Sequence, residues 1–215
     1  SLNAGSLWGR PFYILREAWN ILNAIAEGKI ESGDEKKLNA LKGETMAVIA
    51  LCQFDLTRCF GYPYTKDKGA SLGAPLIDHL VGTYENPPRS TVAQAYDFII
   101  ETLEEAVTLM SEEKNNGRMN KYAARALLAR IYLYHDDNRK AFDLADQLIK
   151  DADTSGSYAL YPHEKYVAAW SVEAKFGSES FFEIANSVDD TPGRDSWGYL
   201  LNWYGYQKGF VTQKY

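Results

Sequence analysis

The stretch Gly117 to Lys150, GRMNKYAARALLARIYLYHDDNRKAFDLADQLIK, indicates two short helices folded back on each other. In the first half, the apolar residues at three- and four-residue spacing share one face and are Ala124, Leu128, Ile131 and Tyr134. In the second half, the corresponding residues are Ala141, Leu144, Ala145 and Leu148. A polar break lies between the halves, where Asp137 or Asn138 can cap the second helix. Such a hairpin cannot bury its apolar face alone, so the pattern predicts one unit of a helical-repeat stack.

The same periodicity predicts a mainly α fold built of tetratricopeptide-like antiparallel helix pairs, with long loops and at most one or two short strands. The predicted helices are 12–26, 38–60, 92–110, 121–134 and 137–150. We expect 12–26 to pair with 38–60, 92–110 with 121–134, and 137–150 with a segment that follows it. Thr91 and Gln94 fit a capping box at the start of the third helix.

The segments between the helices predict irregular structure with few exceptions. Residues 65–89 are rich in glycine and proline, which predicts a long surface connection of the kind that is often functional. A short helix is expected over 164–170, and Phe181 to Ile184 has the composition of a strand. We expect a helical-repeat domain over 1–187 and, over 188–215, an aromatic, glycine-rich loop segment that leads into a missing C-terminal part.

Composition limits the classes of partner. The chain has 215 residues, of which 46% are hydrophobic, enough for a single core. Its formal net charge is −6 and it has no basic run, which argues against a nucleic-acid partner. Cys52 and Cys59 lie roughly 10 Å apart along one predicted helix, too far for a disulfide, so we expect both to be small core residues. No apolar run approaches the length of a membrane span.

Three segments resemble one protein family. Leu128, Ala129, Tyr132, Ala141 and Ala145 fall in the register of a tetratricopeptide repeat, and with the preceding Ala123-Ala124 the string resembles the SusD/RagB family. GETMAVIALCQFDLTRCFGYPYT, Gly43 to Thr65, is similar to that family's long helix, and SESFFEIANS, Ser178 to Ser187, resembles its Ser-Glu-x-x-Phe-Glu segment. The resemblance implies a nutrient-binding lipoprotein exposed at the outer-membrane surface of Bacteroidota.

The resemblance also implies partners. Family members cover a TonB-dependent outer-membrane transporter and pass an oligosaccharide to it, so the helical repeats would form the docking face. A membrane contact is expected only through a lipid anchor outside this chain, because no signal peptide or lipobox cysteine opens it. We therefore expect the chain to be part of a larger protein.

Catalytic and metal-binding motifs are missing from the sequence. His79, His135 and His163 lie in separate segments without metal-ligand spacing, and neither a phosphate loop nor a nucleophile elbow is present. We predict that the protein is not an enzyme and has neither a cofactor nor a metal site. The acidic loop 189–195 could hold calcium, but it lacks the spacing of a dedicated calcium loop and favours a solvated turn.

An aromatic segment near the end of the sequence is the positive signal for ligand binding. Its candidate residues are Trp197, Tyr199, Asn202, Trp203, Tyr204 and Tyr206. Sugar rings stack on flat aromatic faces, and their hydroxyls need polar partners. The alternative is that these aromatics pack back onto the helices. Trp8 is a further candidate on the same reasoning, although core packing is favoured for it.

The sequence therefore predicts non-catalytic binding of an oligosaccharide or polysaccharide at the cell surface. Two alternatives stay open. The first is a tetratricopeptide-like scaffold that binds another protein, with Asn120, Lys121, Arg125 and Arg130 on its first helix. The second is a non-sugar nutrient such as a peptide.

Overall fold

The computed structural model describes residues 4–30, 32–170 and 175–184, and in this part the fold is mainly helical. The five α-helices are α1 (Ala4–Ala26), α2 (Glu35–Phe60), α3 (Val92–Leu109), α4 (Lys121–Tyr134) and α5 (Asn138–Ser155). A two-stranded antiparallel sheet joins β1 (Leu72–Pro75) to β2 (Arg89–Thr91). Short 3₁₀ turns lie at Tyr64–Lys66, His163–Lys165 and Ala168–Trp170. The predicted mainly α fold with at most two short strands is confirmed.

Local signals explain where the helices begin and end. Thr91 and Gln94 form the predicted capping box at α3. The Asn120 side chain accepts from the amide of Ala123 at α4, and Asp137 accepts from the amide of Lys140 at α5. Helix α1 begins earlier than the predicted 12–26 and contains Pro11. Pro11 is the eighth residue of α1, so it removes the hydrogen bond to the carbonyl of Leu7 in a turn whose residues 7–10 are exposed to water.

The helices stack in chain order. Helix α2 packs against α1 and α3, and α4 packs against α3 and α5. The hairpin of α4 and α5 agrees with the Gly117–Lys150 pattern, and Leu148 and Ala152 of α5 also pack with the later residues Tyr158 and Phe181. The main core lies among α2, α3 and α4, and its fully buried side chains include Phe54, Ile99, Leu103 and Ile131.

The adjacent residues Gly43 and Glu44 connect α2 to the chain between α3 and α4. A Cβ on Gly43 would lie 2.7 Å from Cγ of Met110, so the glycine lets α2 approach the end of α3 closely. The Glu44 carboxylate accepts from the guanidinium of Arg118 and, at 3.0 Å, from the amide of Met119. The pair therefore ties α2 to the turn that precedes α4.

Residues 181–184 do not form a strand, and this prediction is wrong. The Phe181 ring packs instead on Tyr158 at 4.8 Å and on Tyr122 at 6.2 Å between centroids. The Tyr158 hydroxyl accepts from the Asn120 amide at 2.6 Å, so the cap of α4 also anchors the chain after α5. A short apolar run has no periodicity long enough to separate a strand from an aromatic packing segment.

The two cysteines differ in environment. Cys52 is buried, and burial raises the pKa of its thiol to about 12, helped by the nearby Asp55 carboxylate. Cys59 is exposed, so the prediction that both are core residues is wrong for it. Both are free thiols.

Among the helices of the described part, none combines the length and the apolar character that crossing a bilayer requires.

Candidate functional site

A cavity of about 520 Å³ lies between α1 and the segment 75–87. Its size is within the range of ordinary small-molecule sites. The apolar side chains that line it are Phe12, Pro75, Ile77, Val81 and Pro87. Its polar lining residues are Arg16, His79, Thr83 and Asn86. Apolar walls with a few convergent polar groups suit a ligand that has both apolar faces and hydroxyls.

Helix α1 supplies one wall because Phe12 and Arg16 are four residues apart and share a face. The Arg16 guanidinium is exposed, and its Nη2 lies 2.9 Å from a carboxylate oxygen of Glu17. The same guanidinium lies 5.3 Å from the centre of the Tyr13 ring. These two neighbours orient Arg16 at the cavity while they leave donors free for a ligand.

The opposite wall is held to the helices by the buried Gln53 and the half-buried Trp19. Gln53 is fully buried on α2, and its amide donates to the carbonyl of Pro75 at 3.1 Å while its carbonyl accepts from the amide of Ile77 at 3.3 Å. The Trp19 indole of α1 donates to the carbonyl of Ile77 at 3.1 Å. Strand β1, where this segment begins, pairs with β2 and packs on α2 and α3. The predicted irregular connection 65–89 thus contains a short hairpin strand and has fixed anchors.

The rim of the cavity contains a cluster of ionisable groups around His79. Its Nδ1 lies 2.6 Å from Oδ1 of Asp78, and its Nε2 lies 2.7 Å from Oε1 of Glu85. Hydrogen bonds to Asp78 and then to Glu85 raise the pKa of His79. The amide of Gly82 donates to Oε2 of Glu85 at 3.0 Å, and this bond, followed by that to His79, lowers the pKa of Glu85.

Trp8 is the one residue of the predicted sugar-binding set within the described part of the chain. It lies one helical turn before Phe12, and the centres of the two rings are 5.0 Å apart. Its indole also meets the Phe60 ring edge-on at 4.7 Å and keeps 38% of its surface exposed. Trp8 therefore combines packing with an accessible face on the side of α1 that carries Phe12.

The other predicted site residues lie outside the described residues. They are Trp197, Tyr199, Asn202, Trp203, Tyr204 and Tyr206. The acidic loop 189–195 also lies outside them. Within residues 4–30, 32–170 and 175–184, no group of three or more His, Cys, Asp or Glu side chains is arranged to hold a metal ion.

Sequence reasoning missed the residues that line the cavity. Phe12 and Arg16 precede the segment 75–87 by about 60 residues, and no local pattern connects them. The one available signal was the length of the 65–89 connection, which predicted a functional loop without indicating which helix it covers.

A stack of antiparallel helix pairs with a loop-bounded cavity on its first helix defines a tetratricopeptide-like helical-repeat protein. A sequence profile of the SusD-like family, described as starch-binding and associating with the outer membrane, matches residues 3–133. The chain belongs to the SusD-like family.

Solved structures give the same result. A SusD superfamily protein from Bacteroides thetaiotaomicron is 39% identical with a TM-score of 0.80, over 86% of this chain and 40% of that one. A proposed sugar-binding protein from Bacteroides vulgatus is also 39% identical with a TM-score of 0.86, over 94% of this chain and 45% of that one. A laminarin-binding SusD-like protein shares the fold at 23% identity and a TM-score of 0.65, over 90% of this chain and 40% of that one. The chain thus spans less than half the length of these relatives. Among curated proteins, none matches the chain.

Proposed function

We propose that this protein binds an oligosaccharide or polysaccharide without catalysis, as part of a surface glycan-binding protein. The observation that carries the proposal is the cavity of about 520 Å³ between α1 and the segment 75–87. Its apolar side chains offer surfaces for the C–H faces of sugar rings, while Arg16 and Asn86 can donate to ring hydroxyls. The sugar-binding role proposed for the relative from Bacteroides vulgatus supports the same ligand class.

Location and partner are part of the proposal. The family description places its members at the outer membrane, and we infer a surface lipoprotein that delivers its glycan to a TonB-dependent transporter. Exposed apolar side chains on the hairpin of α4 and α5 suit a protein partner, and they are Leu133, Phe142 and Ile149. This hairpin is the face that we propose for docking.

A panel of polysaccharides that includes starch and laminarin tests the proposal by affinity electrophoresis and calorimetry. We expect at least one glycan to bind. We further expect Arg16→Ala to weaken its affinity by about tenfold or more, because a hydrogen bond to a charged donor contributes about 1.5–3 kcal/mol. Asn86→Ala should weaken binding as well.

Arg139→Ala is the matched control, since Arg139 is exposed on α5 and pairs with Asp143. Its affinity should equal that of the unmodified protein. Binding of peptides but of no glycan would favour the non-sugar nutrient or the protein scaffold. Glycan binding that neither cavity variant weakens would remove the cavity from the proposal and leave the aromatic segment as the site.

The aromatic segment makes its own prediction. If residues 194–208 form part of the sugar platform, Trp203→Ala or Trp197→Ala should weaken glycan binding by about tenfold or more, since a buried aromatic anchor contributes about 1–3 kcal/mol. The melting temperature should stay nearly unchanged. A large drop in melting temperature without a specific loss of affinity would show instead that these rings pack onto the helices.

A further inference from the structure

The contacts of His79 with Asp78 and Glu85 connect the two ends of segment 78–85 at the cavity rim. His79, Gly82 and Thr83 all line the cavity. Glu85 folds back on this segment. One of its carboxylate oxygens lies 2.7 Å from the imidazole, and the other accepts from the Gly82 amide at 3.0 Å. Asp78 holds the opposite nitrogen of the imidazole at 2.6 Å. The shape of the rim over residues 78–85 therefore depends on one imidazole placed between two carboxylates.

The two contacts of His79 differ between its protonation states. A charged imidazole carries a proton on each nitrogen and can donate to Asp78 and Glu85 at once. A neutral imidazole carries one proton, so its other nitrogen turns a lone pair toward a negatively charged oxygen. The neutral ring can keep one contact as a hydrogen bond, and the other contact becomes repulsive.

Neighbouring cations do not replace the imidazolium. Arg16 faces the same cavity from α1, but its guanidinium is paired with Glu17 at 2.9 Å. Arg89, at the start of β2, donates to the carbonyls of Gly73 at 2.7 Å and Leu72 at 3.0 Å. Neither guanidinium has a described contact with Asp78 or Glu85.

We propose that His79 is a pH-operated clasp on the cavity rim: the charged imidazole holds segment 78–85 closed, and loss of its proton releases the segment. The effect on glycan affinity rests on the proposed function, since a released rim leaves the cavity wall incomplete. The clasp itself is a property of the ligand-free protein.

The pH window follows from the signs of the two pKa shifts. The pKa of His79 is raised, so its contribution is fully present below the ordinary histidine value of about 6.5 and is lost as pH rises through the raised value. The pKa of Glu85 is lowered, so its contribution is present above the ordinary value of about 4.3 and is lost as pH falls through the lowered value. The rim is closed in weak acid and opens on both sides of that window.

Hydrogen exchange of the Gly82 amide tests the clasp, because this amide donates to Glu85 within segment 78–85. Exchange is measured by NMR in the whole chain at weakly acidic and at alkaline pH, and is corrected for the intrinsic pH dependence of exchange. We expect protection to fall by about two- to fivefold at alkaline pH, the size of change that losing an ion pair between exposed groups produces. His79→Gln cannot titrate, so its protection should be low and independent of pH. Glu85→Ala removes the acceptor of the Gly82 amide and should lose protection throughout.

His163→Gln is the control, since His163 lies in an exposed turn after α5, and it should keep the pH dependence of the unmodified protein. Protection that does not change with pH, or a His79→Gln variant that keeps the same dependence, would overturn the clasp. Because exchange is measured without glycan, a failed glycan panel leaves this result standing. Glycan binding together with pH-independent exchange would reject the clasp alone.

Discussion

Replacing Phe54 by alanine is expected to lower the free energy of unfolding by about 3–5 kcal/mol, the usual cost of removing a buried phenylalanine. Phe54 is 1% exposed on α2, in the core formed with α3 and α4. Its ring meets Tyr96 of α3 at 6.2 Å and Tyr134 of α4 at 5.4 Å between centroids, both edge-on. The Arg58 guanidinium also lies 4.8 Å from the ring centre. One side chain thus joins three helices, and its loss leaves a cavity that none of them can fill by itself.

Urea unfolding followed by circular dichroism measures this change. Phe142→Ala on α5 is the matched control, because the Phe142 ring is 66% exposed and its loss should change stability by no more than about 0.5 kcal/mol. An equal effect of the two substitutions would contradict the assignment of the core to α2, α3 and α4.

Gln53→Leu is expected to lower the free energy of unfolding by about 2–4 kcal/mol, because a buried polar group without a partner costs about 1–3 kcal/mol and a half-buried one costs less. Leucine has a similar size, but it can satisfy neither the carbonyl of Pro75 nor the amide of Ile77. These two groups belong to the wall of the cavity. We therefore expect glycan affinity to fall together with stability, at a temperature where the variant is still folded.

Gln147→Leu tests whether the effect is specific to this position. Gln147 is exposed on α5 and its amide donates to Asp151 at 2.8 Å, so the substitution should leave both stability and affinity nearly unchanged. A Gln53→Leu variant as stable as the unmodified protein would show that the segment 75–77 does not depend on this side chain.

Helices with regular apolar spacing could be predicted from the sequence alone. The spacing of α3, α4 and α5 is local, and so are their caps at Thr91, Asn120 and Asp137. Each signal acts within one or two helical turns, so it can be recognised without knowing what packs against the helix. The family resemblance had the same local basis, since it rests on strings such as the Gly43–Thr65 helix.

The strand predicted over 181–184 does not form and the strand pair of β1 and β2 was missed, both because strands depend on partners. Gly73 and Pro75 carry little strand propensity, yet β1 forms because β2 pairs with it, because Ser90 donates to the carbonyl of Ala74 and because Gln53 holds Pro75. The 181–184 run has strand-like composition, but the Tyr122 and Tyr158 rings take up Phe181. Composition could not reveal either environment.

The sequence by itself determined the helix-pair class, because it can be recognised from residues close together in the chain, while the aromatic candidates at 197–206 stay a prediction. Only the tertiary structure decided where the cavity lies. It brings Phe12 and Arg16 of α1 to the segment 75–87, and it places the imidazole of His79 between two carboxylates. The physical reason is that a binding cavity is made by packing distant segments together. The buried contacts that hold these segments, such as the one between Gln53 and Ile77, follow no periodic pattern in the sequence.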